Sequence, residues 1–102
     1  MRDEGRAAEV VFVDDAVDFM IEQVESERVL AQLEKQRDIL SLFPEMGRLY
    51  APSYAAAYPP FPCRWIAVPD TPFNLYYLFD EPENTVVVFY LEHQRRNPLS
   101  RF

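Results

Sequence analysis

The sequence predicts a two-layer α+β fold: an N-terminal strand and an antiparallel helical hairpin packed on an antiparallel sheet of about four strands. Three observations carry that expectation. Helical apolar periodicity runs through residues 14–43, three strand signals follow one another through residues 63–92, and a further strand signal precedes the helices. Helices grouped apart from a run of strands pack as one layer on one sheet face. A chain of 102 residues has room for one core, so residues 1–102 read as a single domain with its core at about 9–98.

Glu9–Val13 (EVVFV) is β-branched and aromatic, and reads as the first strand. Asp14 and Asp15 supply an N-cap, and Asp18 adds negative charge to the first turn, where the helix dipole favours it. Val17, Met20, Ile21 and Val24 then recur at helical spacing. Ser26 breaks that helix and caps a second. Val29, Leu30, Leu33, Leu40 and Phe43 form its stripe, with Gln36 and Arg37 interrupting the middle, which is expected to be half buried. Pro44 blocks continuation and Gly47 ends the helix by accepting a positive φ. The linker is so short that the two helices are expected side by side and antiparallel.

Residues 48–62 hold four prolines and four tyrosine or phenylalanine residues, a composition that excludes a regular strand and reads as a loop pinned by aromatics. Cys63–Val68 alternates, with Arg64, Ile66 and Val68 on one face and Cys63, Trp65 and Ala67 on the other. The turn Pro69–Pro72, the strand Phe73–Phe79, the turn Asp80–Asn84 and the strand Thr85–Glu92 complete the chain's core. The last strand is apolar on both faces and is expected to be central. Asn74, Tyr76 and Leu78 share one face of their strand, and Phe73, Leu75, Tyr77 and Phe79 the other; the pattern leaves open which face meets the helices.

Charge is unevenly placed. The chain is −7 overall, and residues 1–47 carry all of it, with 12 acids against 5 bases. The second half is neutral, yet its end holds Arg95, Arg96 and Arg101 with no acid after Glu92. Nucleic acid is repelled by such a chain except at that basic end. One cysteine allows no internal disulfide, the charged N-terminus is unlike a signal peptide, and no apolar run is long enough for a membrane span. The cytoplasm is the expected compartment, with no membrane partner. Metal-ligand spacings, a Gly-rich phosphate loop and a Ser/His/Asp signature are missing, so no cofactor or metal is expected.

One set of stretches, in this order, resembles the RelE/ParE toxin superfamily of type II toxin–antitoxin modules. They are Asp15–Phe19, Phe43-Pro44-Glu45-Met46-Gly47, Phe73–Phe79 and Val86–Leu91 followed by Glu92-His93-Gln94-Arg95-Arg96-Asn97-Pro98. The resemblance covers roughly residues 9–98, and His93-x-x-Arg96-x-Pro98 places it nearer the ParE-like, plasmid-stabilisation branch. It implies a cytoplasmic growth inhibitor neutralised by a cognate antitoxin encoded next door. ParE-like members act on DNA gyrase, and RelE-like members cleave mRNA on the ribosome. The nuclease members place lysines and an arginine on the second and third strands of this sheet and another arginine after the last. Here Trp65, Ala67 and Asn74 stand at the strand positions, and Arg96 alone matches. Binding of a target such as gyrase is therefore expected ahead of cleavage, with a RelE-type endoribonuclease or a degenerate interaction module as alternatives.

Cleavage by 2′-hydroxyl attack needs an acid, a base and cations around the phosphorane. His93, whose ordinary pKa suits proton transfer, and Arg96 are the catalytic candidates. Glu92 precedes His93, so ring and carboxylate are expected to share the strand end. Arg95, Arg96 and Arg101 are candidates for binding phosphate or an acidic antitoxin segment, which the acidic hairpin would repel. Arg64, Asn74 and Tyr76 are expected to form a shallow polar groove if the Asn74/Tyr76 face is the open one. Glu9–Val13, as a sheet edge, is also a surface through which a homodimer can form.

Overall fold

The computed structural model describes residues 7–50 and 62–94. Two helices pack on a five-stranded sheet: β1 (Glu9–Phe12), α1 (Asp14–Gln23), α2 (Glu27–Leu42), β2 (Arg48–Leu49), β3 (Arg64–Ala67), β4 (Phe73–Asp80) and β5 (Thr85–His93). The strand order is β1-β5-β4-β3-β2. The α+β class and its two layers are as the sequence predicts, but the sheet is mixed. β2 to β5 are antiparallel neighbours, whereas β1 runs parallel to β5, with Glu9 opposite Thr85 and Phe12 opposite Val88. The direction follows from the connections. β2, β3, β4 and β5 alternate in direction, so β2 runs opposite to β5, and the helices hand the chain from β1 to a β2 that runs the other way; β1 and β5 therefore share a direction. β1 then closes the sheet beside β5 as an edge, so β5 is an interior strand paired on both sides, as expected, with β4 next to it in the middle of the sheet.

The helices differ in detail from their expected stripes. α1 starts at Asp14, with Val13 at the cap position and no side-chain cap, so Asp14 and Asp15 occupy the first turn itself. Their charge still meets the positive end of the helix dipole. The face turned to the sheet runs through Ala16, Phe19, Met20 and Val24, and Ile21 is exposed. Ser26 does cap α2, accepting from the Val29 amide at 3.4 Å. Val29, Leu33, Gln36 and Leu40 form one continuous buried stripe at spacings of four, three and four, which corrects the half-buried middle. The Gln36 amide is accommodated there by donating to the Met46 sulfur at 3.7 Å. Gly47 is not in the left-handed region. Its Cα lies where any Cβ would come within 2.7 Å of the Tyr77 hydroxyl and 3.0 Å of the Trp65 carbonyl oxygen. Close approach explains this glycine, and positive φ does not.

Phe73, Leu75 and Tyr77 of β4, with Val86, Val88 and Leu91 of β5, form the sheet side of the core against Ala16, Val29, Leu33 and Leu40. A β-bulge decides which residues of β5 join them. Tyr76 pairs with Tyr90 but Tyr77 with Val88, leaving Phe89 as the extra residue. Strict alternation from Val86 would send Tyr90 and Glu92 toward the helices. The bulge instead turns Leu91 inward and Glu92 to the opposite face. The turns before and after β4 place Asp70 (φ 61°) and Asn84 (φ 50°) in the left-handed region that these residue types tolerate.

Candidate functional site

The sheet face turned away from the helices gathers the polar and aromatic residues. A cross-strand row runs through Arg48 (β2), Trp65 (β3), Tyr76 (β4) and Tyr90 (β5), each opposite the next. The Arg48 guanidinium carbon lies 5.9 Å from the centre of the Trp65 ring, within cation–π range. Trp65 stacks on Tyr76 with centroids 6.4 Å apart and planes at 25°. Tyr90 lies 5.7 Å from Tyr76 on its other side, and Tyr50 meets the same ring edge-on at 5.2 Å.

Beside this row, Asn74 is opposite Ala67 on one side and Glu92 on the other. Tyr76 donates its hydroxyl proton to Glu92 Oε1 at 2.6 Å. Tyr76 and Glu92 are both buried, at 1% and 0% exposure, so this short bond sits where water does not compete for it. Asn74 is also buried, and its Oδ1 has no hydrogen-bond partner among the described residues. Among the described residues the face thus offers stacked rings, an arginine at its edge and a buried carboxyl group bonded to Tyr76. Rings and an edge cation suit protein surfaces and planar groups, whereas an acid is a poor neighbour for a phosphodiester.

The expected site residues are separated by this geometry. Asn74 and Tyr76 do share the face. Arg64 does not join them: it is opposite Tyr77, on the helix side, and its Nη1 donates to the Gly47 carbonyl at 2.8 Å. That bond and the Tyr77 hydroxyl, which accepts from the Gly47 amide at 2.9 Å, fix the chain where it leaves α2. Burial pushes the Tyr77 hydroxyl pKa above its ordinary value of 10.0. His93 is exposed, and its ring packs edge-on against Phe73 at 5.7 Å. Successive residues of a strand face opposite ways, so His93 and Glu92 lie on different faces and form no acid–base pair. Arg95, Arg96 and Arg101 lie outside the described residues.

Arg48, Trp65 and Glu92 were not expected as site residues. Arg48 was hidden by the proline-rich stretch that follows it, although a two-residue strand is enough to place it opposite Trp65. Glu92 carried a usable signal, being a carboxyl side chain at the end of an otherwise apolar run. Cys63 is buried and its thiol is pushed up to about 11, so it is not a thiolate near neutral pH. Among the described residues no group of three or more His, Cys, Asp or Glu could hold a metal ion, and no helix is long and apolar enough to cross a membrane.

Comparison with solved structures places the fold. A double arginine-to-alanine variant of the Escherichia coli toxin RelE, in its free state, superposes with a TM-score of 0.65 at 18% identity, covering 87% of this chain and 85% of that one. The fold is that of the RelE toxins. The isolated E. coli RelE toxin agrees, with a TM-score of 0.64 at 18% identity over 89% of this chain and 88% of the other. So does a chain of the toxin–antitoxin complex RelBE2 from Mycobacterium tuberculosis, with a TM-score of 0.65 at 19% identity over 90% and 97%. No protein-family model and no curated protein matches the sequence. The RelE-like fold is thus shared at nearly full length by chains that keep fewer than one residue in five.

Proposed function

We propose that this chain is the toxin of a type II toxin–antitoxin module, acting in the cytoplasm to arrest growth and neutralised by a cognate antitoxin encoded beside it. The observation that carries the proposal is the nearly full-length likeness to RelE toxin chains, one of them from a toxin–antitoxin complex. We further propose that it acts by binding a protein target such as gyrase, in the manner of the plasmid-stabilisation branch. Trp65, Ala67 and Asn74 stand where the resemblance to nuclease toxins calls for cations, and Glu92 adds an acid to the same face. A phosphorane dianion needs the opposite surroundings.

The likeness to RelE chains in particular keeps ribosome-dependent mRNA cleavage as the second reading, with Arg96 as its cation. Inducible expression in a bacterial host separates the two. Growth arrest with loss of gyrase supercoiling and intact mRNA is the expected result. Ribosomal mRNA cleavage that disappears in Arg96→Ala would install the nuclease, and growth indifferent to induction would remove the toxin reading altogether.

A further inference from the structure

Gln36 is the polar member of the buried stripe of α2, and it is 3% exposed. Its Nε2 donates to Met46 Sδ at 3.7 Å, and no other acceptor reaches it among the described residues. A thioether sulfur is a weak acceptor, so this buried donor is satisfied by little. Met46 itself is open to water. It is 48% exposed, in the turn between α2 and β2, and borders a cavity of about 370 Å³ that Gln36, Arg48 and Trp65 also line. Met20, by contrast, packs against the core.

The turn also aims the residues that follow it. The Gly47 amide donates to the Tyr77 hydroxyl, and its carbonyl accepts from Arg64. Arg48, next in the chain, lies over the Trp65 ring at the edge of the aromatic row. A change at Met46 is therefore two residues from the cation of that face.

We propose that Met46 is a reversible oxidation site, through which a peroxide loosens the turn and releases Arg48 from Trp65. A lone pair of the sulfur attacks one peroxide oxygen and the O–O bond breaks. The sulfur gives up two electrons and becomes the sulfoxide, and the other oxygen leaves as water after proton transfer. The thioether has two lone pairs. The Gln36 N–H engages one, which leaves the other to react, so a single sulfoxide epimer forms. The new oxygen draws electron density from the sulfur, whose remaining lone pair is then a poorer acceptor. Gln36 is left as a buried donor without a partner, and the polar sulfoxide turns to water. This site does not depend on the function proposed above.

Hydrogen peroxide titrated onto the whole chain, followed by peptide mass spectrometry, tests this. Met46 is expected to oxidise about tenfold faster than Met20, and one of the two epimer-specific classes of methionine sulfoxide reductase to restore it while the other does not. Oxidation at Met46 is expected to lower the melting temperature by about 4–8 °C and to shift the fluorescence of Trp65, the single tryptophan, to the red. Both changes should reverse with the reductase and be absent in Met46→Leu, which separates them from oxidation at Cys63. Gln36→Leu, which frees both lone pairs, is expected to give both epimers. Equal rates at Met46 and Met20, mixed epimers in the unsubstituted chain, or melting and fluorescence that ignore the oxidation or respond equally in Met46→Leu would each overturn the proposal. Rates and epimers are read on the unsubstituted chain, so they decide even where Gln36→Leu fails to fold. Growth arrest enters none of these readings, so the oxidation site and the toxin reading fail separately.

Discussion

Gly47 has no side chain because Tyr77 and the Trp65 carbonyl occupy the space one would fill. Gly47→Ala must push back a ring held in the core, and is expected to cost about 1–3 kcal/mol in urea unfolding. Tyr77→Phe leaves the buried Gly47 amide without its acceptor and is expected to cost a similar ~1–3 kcal/mol. Alkaline pH addresses the same neighbourhood. Cys63 has a folded pKa of about 11 against an ordinary 9.0, so the native state holds its proton more tightly than the unfolded chain does. Its contribution to stability is therefore intact below pH 9 and is lost as pH rises from 9 towards 11. Tyr77, raised above 10.0, adds to the decline from pH 10 upward. Unfolding free energies taken from pH 8 to 11 should fall, and fall less steeply in Cys63→Ala.

Every helix and every strand longer than two residues was legible in the sequence because each has strong periodicity and firm punctuation at its ends. What escaped were features set by partners distant in the chain. Gln36 reads as a break in a helical stripe until Met46 supplies its contact, and Arg48–Leu49 is too short to read as a strand until Arg64 and Trp65 pair with it. Arg64 reads as free to join Asn74, but the register to Tyr77 turns it the other way. The bulge at Phe89 is the clearest instance, since nothing in Val86–Leu91 announces it. Because Phe89 is the extra residue, its deletion leaves Leu91 facing the helices and Glu92 facing Tyr76. That deletion is expected to keep a cooperative unfolding transition. Deleting Val87 rotates a buried valine out of the core and is expected to abolish the transition, as near-ultraviolet circular dichroism would show. Ser26→Ala should cost about 0.5–1 kcal/mol by removing the cap of α2.

The molecule as a whole divides its charge between halves: the acidic half forms β1 and the helical layer, and the neutral half supplies most of the sheet. Like charges on one layer repel, and salt screens them, so the melting temperature should rise by about 2–5 °C between 10 mM and 500 mM sodium chloride. A fall over that range would show that attractive surface pairs outweigh the repulsion. The sheet also spans the chain in time. β1 has no partner among the strands that follow it directly; it waits for β5, and Glu9 meets Thr85 only once every residue between them has been made. Until then the helices have half a sheet to pack on and Phe12 has no neighbour in Val88. Contacts so far apart in sequence close late. During translation, β1 leaves the ribosome before its partner and stays unsatisfied meanwhile, so the native surface exists only after β5 is released.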